Sequence, residues 1–259
     1  MIIKSDNPVN AALETLDFVG WAKPGDLSID EIAYSLEAHI KETTLEGSEG
    51  RIIMDNSKAI ITIDSSIRIA GKRNFVLAHE LGHLLLHRKE SLFYSDTNKT
   101  LSDWYKNDKL EVEANQYATE LLMPSKLFVE RVTNKKLNLN LIKNTANYFQ
   151  VSCTSCALRY IKLGDYPSMV VFVEDSIVQW KQASEDFPFQ FLPLYNKVPV
   201  YTVAGDFFNG NGLEDNPVLV DVIEWFPEDF EAQKKSKWQI YEQCFQVSEN
   251  GVISFLWTF

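Results

Sequence analysis

The sequence predicts a mixed α+β protein on three observations. Apolar residues recur at helical spacing through much of the first 163 positions. Short apolar strands bounded by Gly, Ser, Asp and Asn interrupt that spacing between 39 and 64. From Pro167 onward, β-branched and aromatic residues alternate between Gly, Asn and Pro turns, as in a separate β-rich module. The 259 residues suffice for one large or two small domains, and 45% hydrophobic with 24% charged residues argues for a buried core rather than disorder.

Taken in order, Asn7-Pro8 opens a helical pattern, with Pro where no amide hydrogen is needed. Ser28 and Glu31 have capping-box spacing ahead of Ile32, Leu36 and Ile40. Strands are expected at 39–45, 51–54 and 59–64, followed by a helix over about 72–89 with Leu77, Leu81, Leu84 and Leu85 on its apolar side. The polar stretch 90–107 is expected to be a loop. A second amphipathic helix, about 108–123, is stopped by Pro124. Two or three short helices fill 125–163, and further strands are expected at 169–174, 198–203 and 252–257. The resulting division is 1–124, 125–166 and 167–259, with Gly164-Asp165-Tyr166-Pro167 as the last boundary.

The formal charge of −11 opposes nonspecific attraction to nucleic acid or to an anionic membrane. It is unevenly spread: 13 Lys and Arg against 20 Asp and Glu in 1–123, 7 against 2 in 124–166, and 5 against 14 in 167–259. Three cysteines are too few for a disulfide framework. The start, MIIKSDNP, has no apolar run of the kind a secretory signal uses, and no stretch approaches ~18 consecutive apolar residues. A cytoplasmic chain with no membrane span is expected.

Chemistry concentrates at His79-Glu80-Leu81-Gly82-His83, an H-E-x-x-H within a predicted helix. Histidines four apart share one helical face, so both imidazoles can reach one Zn²⁺ at ~2.0–2.1 Å. Glu80, offset around the helix, is the candidate general base: it can take a proton from water at the metal and pass it to a leaving amine. Three of the chain's 4 histidines crowd into this helix, which ordinary helix composition does not explain. Leu86 and Lys89 stand where a second glycine and a third histidine would extend the motif, so the third ligand must lie elsewhere. His87 is one further turn from His83 and suits a supporting or surface role better than ligation. On the next predicted helix, Glu111 and Asn115 share a face at i, i+4, one for the metal and one to orient a ligand histidine. Glu113 lies on a different face, so Glu111 is the preferred third ligand.

These residues sit within two blocks. One is Arg73-x-Phe75-x-Leu77-Ala78-His79-Glu80-Leu81-Gly82-His83-x-Leu85-Leu86-His87; the other is Glu111-x-Glu113-Ala114-Asn115-x-Tyr117-Ala118-x-Glu120-Leu121-Leu122-Met123-Pro124. Together they resemble the ImmA/IrrE family of metallo-endopeptidases over about 20–165. The resemblance implies a gluzincin-like domain, one Zn²⁺ per chain held by His79, His83 and Glu111, and Glu80 as catalytic base. It also implies a protein substrate, a helix-turn-helix repressor of a stress, mobile-element or toxin–antitoxin-like operon. That regulator is expected to be a separate protein, since no helix-turn-helix domain precedes the zinc motif here.

Weaker signals remain. The strand Ile60, Ile61, Thr62 and Ile63 is a candidate edge for pairing with an extended substrate peptide. The segment 141–163 reads as a helix-turn-helix that could touch DNA phosphates through Lys143, Arg159 and Lys162, although such an arrangement is also a common way to pack helices. Cys153-Thr-Ser-Cys156 is a lone C-x-x-C, read as small buried thiols within a helix. The aromatics of 167–259 are read as core, with partner docking or ligand sensing left open. The rival to proteolysis is a regulator, or one member of a toxin–antitoxin or defence pair, acting by binding a partner protein or DNA.

Overall fold

The computed structural model describes residues 4–54, 58–88 and 109–258, together with the backbone of 93–95. The chain divides into two compact units, Met1–Phe128 with Ala146–Ser152, and Val129–Thr145 with Cys153–Phe259.

The first unit begins with α1 (Pro8–Val19) and α2 (Ile29–Ser35). Asn7 caps α1 with Pro8 just inside it. Ser28 and Glu31 form the expected reciprocal capping box, closing the exposed donors of the first turn of α2. Strands β1 (Ala38–Thr43), β2 (Gly50–Met54), β3 (Ala59–Asp64) and β4 (Phe93–Ser95) form a sheet of order β1-β3-β2-β4. β1 runs parallel to β3, while β2 is antiparallel to both β3 and β4. In β3 the period-two pattern buries Ala59, Ile61 and Ile63 on one face. The long helices α3 (Ala70–Leu86) and α4 (Lys109–Leu122) complete the unit. Arg73 on α3 forms a two-pronged pair with Asp30 of α2 and a further bond to Glu42 of β1. Tyr117 of α4 donates its buried hydroxyl to Thr15 of α1.

Two sequence expectations change here. Ile60–Ile63 does not border a free edge: β3 lies in the middle of the sheet, hydrogen-bonded to β1 on one side and β2 on the other. Its backbone groups are already used, so it cannot pair with a substrate peptide. Among the described residues, the outer strands of this sheet are β1 and β4. The loop expected at 90–107 falls mostly outside the described residues, and 93–95 within it form β4 rather than loop.

Three helices, α5 (Ser125–Val132), α6 (Leu139–Phe149) and α7 (Cys153–Leu163), follow, and α5 and α6 each give residues to both units. In the second unit, β5 (Ser168–Glu174), β6 (Ile177–Ala183), β7 (Val218–Asp221), β8 (Gln239–Ser248) and β9 (Gly251–Trp257) form an antiparallel sheet of order β6-β5-β9-β8-β7. Short helices α8 (Val203–Phe208), α9 (Val222–Trp225) and α10 (Phe230–Lys234) lie between β6 and β8 in the chain. Phe187, Phe189, Trp225, Phe226 and Leu256 fill the core of this unit, so much of its aromatic content is core. The strand expected at 198–203 is absent: Thr202 caps α8 by accepting the Gly205 amide hydrogen, and Val203 is its first residue. α7 is a buried helix, with every residue from Thr154 to Ile161 out of solvent, Arg159 included.

Candidate metal centre

Ten consecutive residues of α3, from Phe75 to Leu84, are buried. A helix enclosed on all sides holds its polar residues in place through its neighbours, and the decisive neighbour is α4. Gly82 makes the approach close: a Cβ there would lie 2.9 Å from Ala114 Cα and 3.1 Å from its carbonyl oxygen. Glycine lets the two helix backbones meet at Ala114, and Glu111, Glu113 and Asn115 flank that contact.

Two histidine nitrogens and a carboxylate converge there. His79 Nε2 and His83 Nε2 are 3.0 Å apart, and both side chains are fully buried. Glu111 sets Oε2 3.2 Å from His79 Nε2 and Oε1 3.3 Å from His83 Nε2. One donor atom from each residue falls within 4.8 Å of the others. Behind the pair, His79 Nδ1 lies 2.9 Å from Asn115 Oδ1. An amide oxygen only accepts, so a neutral His79 carries its proton on Nδ1, and its Nε2 lone pair faces the space shared with His83 Nε2 and the Glu111 carboxylate. Lone pairs and an anion directed into one small space are satisfied by a cation, and two imidazoles plus a carboxylate suit zinc.

Glu80 takes another direction. It is 1% exposed, and its Oε1 occupies the space a Cβ on Gly50 would need, beside Val76. The first residue of β2 is glycine where the Glu80 carboxylate rests.

The structure therefore brings His79, His83, Glu111 and Asn115 together and sets Glu80 against β2. Glu113 turns away from the cluster: its Oε2 is 3.1 Å from His87 Nε2, while Lys109 lies 3.4 Å from Oε1. His87, 2% exposed, places Nδ1 3.0 Å from His83 Nδ1. Sequence reading gave His87 a supporting or surface role, but did not pair it with Glu113. Glu120 also has a local task that spacing alone did not expose: its carboxylate accepts the Ser125 amide at 2.8 Å and its hydroxyl at 2.7 Å, capping α5 after Pro124.

Among the described residues, no helix is long and apolar enough to cross a membrane. Over 71 residues the chain is 44% identical to "uncharacterized immunity region protein 2" of Bacillus phage phi105, a match covering 27% of this chain and 41% of that protein. The chain thus aligns with less than half the length of that relative. The fold is similar to a solved Mycobacterium tuberculosis transcriptional regulator, with a TM-score of 0.61 over 97% of this chain and 75% of that one at 13% identity, a likeness of fold alone. A family model, Peptidase_M78, described as an IrrE N-terminal-like domain, matches residues 36–160. That span holds both helices of the cluster, and the match bears out the resemblance of the two sequence blocks to the ImmA/IrrE family.

Proposed function

We propose that this chain is a zinc-dependent endopeptidase that cuts a specific regulatory protein, most plausibly a helix-turn-helix repressor, within the cytoplasm. The observation that carries the reading is the convergence of His79 Nε2, His83 Nε2 and the Glu111 carboxylate inside the span that the Peptidase_M78 family model matches. In this reading His79, His83 and Glu111 hold one zinc ion, with Asn115 fixing the tautomer of His79. The metal supplies a Lewis acid for the scissile carbonyl and lowers the pKa of water to about 7. Glu80 takes the proton from the attacking water and delivers it to the leaving nitrogen as the peptide bond breaks. Its buried setting beside Gly50 keeps the carboxylate out of bulk water.

A repressor as substrate, in a phage-immunity, stress or toxin–antitoxin-like operon, is supported by the family and by the relative named for a phage immunity region. Three free cysteines fit a reducing compartment. Of the three basic residues on which the binding-only alternative through 141–163 rests, Arg159 is 9% exposed, while Lys143 and Lys162 are exposed. Elemental analysis of the purified chain should give about one zinc. Co-expression with a repressor encoded beside it should give a defined cleavage that disappears in Glu80→Gln while zinc is retained. Unchanged cleavage in that variant would remove Glu80 from the mechanism.

A further inference from the structure

We propose that the second unit holds a small-molecule site for a mononucleotide, a flat heteroaromatic base carrying a phosphate. A cavity of about 780 Å³ opens there, within the ~300–1,000 Å³ usual for ligand sites. All of its lining residues belong to this unit, and the zinc reading above supplies none of them.

Strand alternation produces the floor. In β8, Ile240 and Cys244 enter the core shared with α8 and α9, so Tyr241 and Gln243 point to the opposite face. In β9, Val252 and Leu256 enter that core, and Phe255 and Trp257 oppose it. Tyr241 and Trp257 are cross-strand partners, stacked with ring centroids 5.5 Å apart at 26°. They line the cavity together with buried Leu137 and half-buried Tyr166. An aromatic surface of this kind holds flat π-systems, and stacking is open to any base because every base has a π-face.

The walls are tied together, so the cavity exists before a ligand arrives. Gln243 Oε1 accepts the Leu139 amide at 2.7 Å, and its Nε2 donates to the Asp215 carbonyl at 2.7 Å. One side chain of β8 thereby fixes the chain next to both lining stretches, 134–137 and 216–217. Further along, Asp165 Oδ2 accepts the Asn134 amide at 2.6 Å, and Asn134 sits in the left-handed region at φ 59°, which asparagine tolerates better than most residues.

The lining charge lies on Lys135, Lys136 and Asp165, all exposed. Lys135 donates to the Arg131 carbonyl, and Asp165 is engaged with Asn134. Lys136 has no hydrogen-bond or ion-pair partner among the described residues. Two adjacent ammonium groups beside an aromatic floor select a flat ligand with an anionic group, and a phosphate monoester carries close to two charges at pH 7. A free nucleotide and the end of a nucleic-acid strand present the same chemistry. The net charge of −11 repels the polymer and favours the free molecule.

The test is isothermal titration calorimetry of the full chain with AMP, GMP, CMP and UMP, with inorganic phosphate and a short oligothymidylate as competitors. At least one mononucleotide should bind at one per chain, more weakly as salt rises. Lys136→Glu should weaken it by about 10- to 100-fold, the usual worth of a charge-assisted hydrogen bond, and flatten the salt dependence. Tyr241→Leu keeps apolar bulk but removes the ring, and should weaken binding by about 10-fold with the salt dependence kept. No binding of any of the four at millimolar concentration overturns the proposal, as does unchanged affinity in folded Lys136→Glu. Inorganic phosphate competing as well as the nucleotide overturns it by making the aromatic floor irrelevant. Oligothymidylate displacing the nucleotide at lower concentration overturns it in favour of nucleic acid. If Tyr241→Leu does not fold, Lys136→Glu decides alone.

Discussion

Each unit buries a cluster built around a glutamate, and the two clusters differ in how their lone pairs are used. In the second unit Glu242 is fully buried and closed. Its Oε2 accepts the Val203 amide at 2.9 Å and Trp225 Nε1 at 3.0 Å; its Oε1 accepts the Ala204 amide at 3.0 Å, the Ser254 hydroxyl at 2.8 Å and the Cys244 thiol at 3.3 Å. Every donor comes from the protein, so the carboxylate ties α8, α9 and β9 to β8 and has no capacity left for a ligand. In the first unit Glu111 has a side chain 32% exposed and faces the Nε2 atoms of two imidazoles whose Nδ1 atoms contact Asn115 and His87. That cluster has the donor set of a metal site. A buried carboxylate surrounded by donors is architecture, whereas acceptors converging on one another mark a binding place.

The largest effect separates chemistry from metal retention. Glu80→Gln should lower cleavage by about 10²–10⁴-fold, the usual contribution of a positioned acid–base group, with zinc content unchanged. Gly50→Ala is a gentler version, since the added methyl collides with the Glu80 carboxylate and Val76. Displacing the base by about 1 Å can cost ~10²-fold, and its signature is lost rate with retained zinc. Loss of zinc in either variant would mean that the β2 side of α3 supports the metal rather than the proton transfer.

The closed cluster should answer the reverse way. Glu242→Leu leaves the buried donors of Val203, Ala204 and Trp225 without their acceptor, and unfolding of the second unit should become easier by about 3–5 kcal/mol. Zinc affinity should stay as it is, since Glu242 belongs to the other unit. Denaturant melts with and without bound zinc test both halves; equal stability in the variant would show that the Glu242 contacts are dispensable. Gly82→Ala should follow at ~1–3 kcal/mol, because the methyl presses on Ala114 backbone and pushes α4 outward. Unlike Glu242→Leu, it should also weaken zinc binding, since Glu111 moves with α4.

The same contrast explains what could be read in the sequence. His79, Glu80, His83, Glu111 and Asn115 stand at helical spacings, and a helix turns spacing along the chain directly into a shared face. The capping box at Ser28 and the cap at Asn7 are equally local. Ile60–Ile63 carried a correct strand signal, but alternation says nothing about which strands lie beside it, and β3 turned out to be enclosed. The apolar run at 198–203 looked like a strand because the Thr202 cap and the Glu242 carboxylate that receives the start of α8 lie 40 positions apart. Glu242 itself left no trace: one acidic residue in a β-rich stretch reads as a solvated position until its donors are assembled. His87 was read as a supporting or surface residue one turn beyond His83, but its contact with Glu113 involves another element that spacing on α3 does not reveal.

The smallest prediction uses the cysteines to probe whether the closed cluster stays closed. Cys244 is 2% exposed and donates to Glu242 Oε1; burial, and after it the Glu242 charge, push its thiol well above the ordinary value. Burial likewise raises Cys156, and raises Cys153, the one partly exposed thiol. A raised pKa leaves less thiolate at any given pH, and only the thiolate attacks a disulfide reagent. At pH 8 the native chain should therefore react slowly with Ellman's reagent, Cys153 first, and reveal all three thiols only when denatured. Chelating the zinc should leave the native rate unchanged, because no cysteine belongs to the cluster of His79, His83 and Glu111. Glu242→Leu takes away the charge that raises the Cys244 thiol and loosens the packing around it, so Cys244 should become the reporter of opening. Fast labelling of Cys244 in the unmodified native chain would show that the Glu242 cluster opens readily. The distinction between a closed carboxylate and an open one would then lose its physical basis.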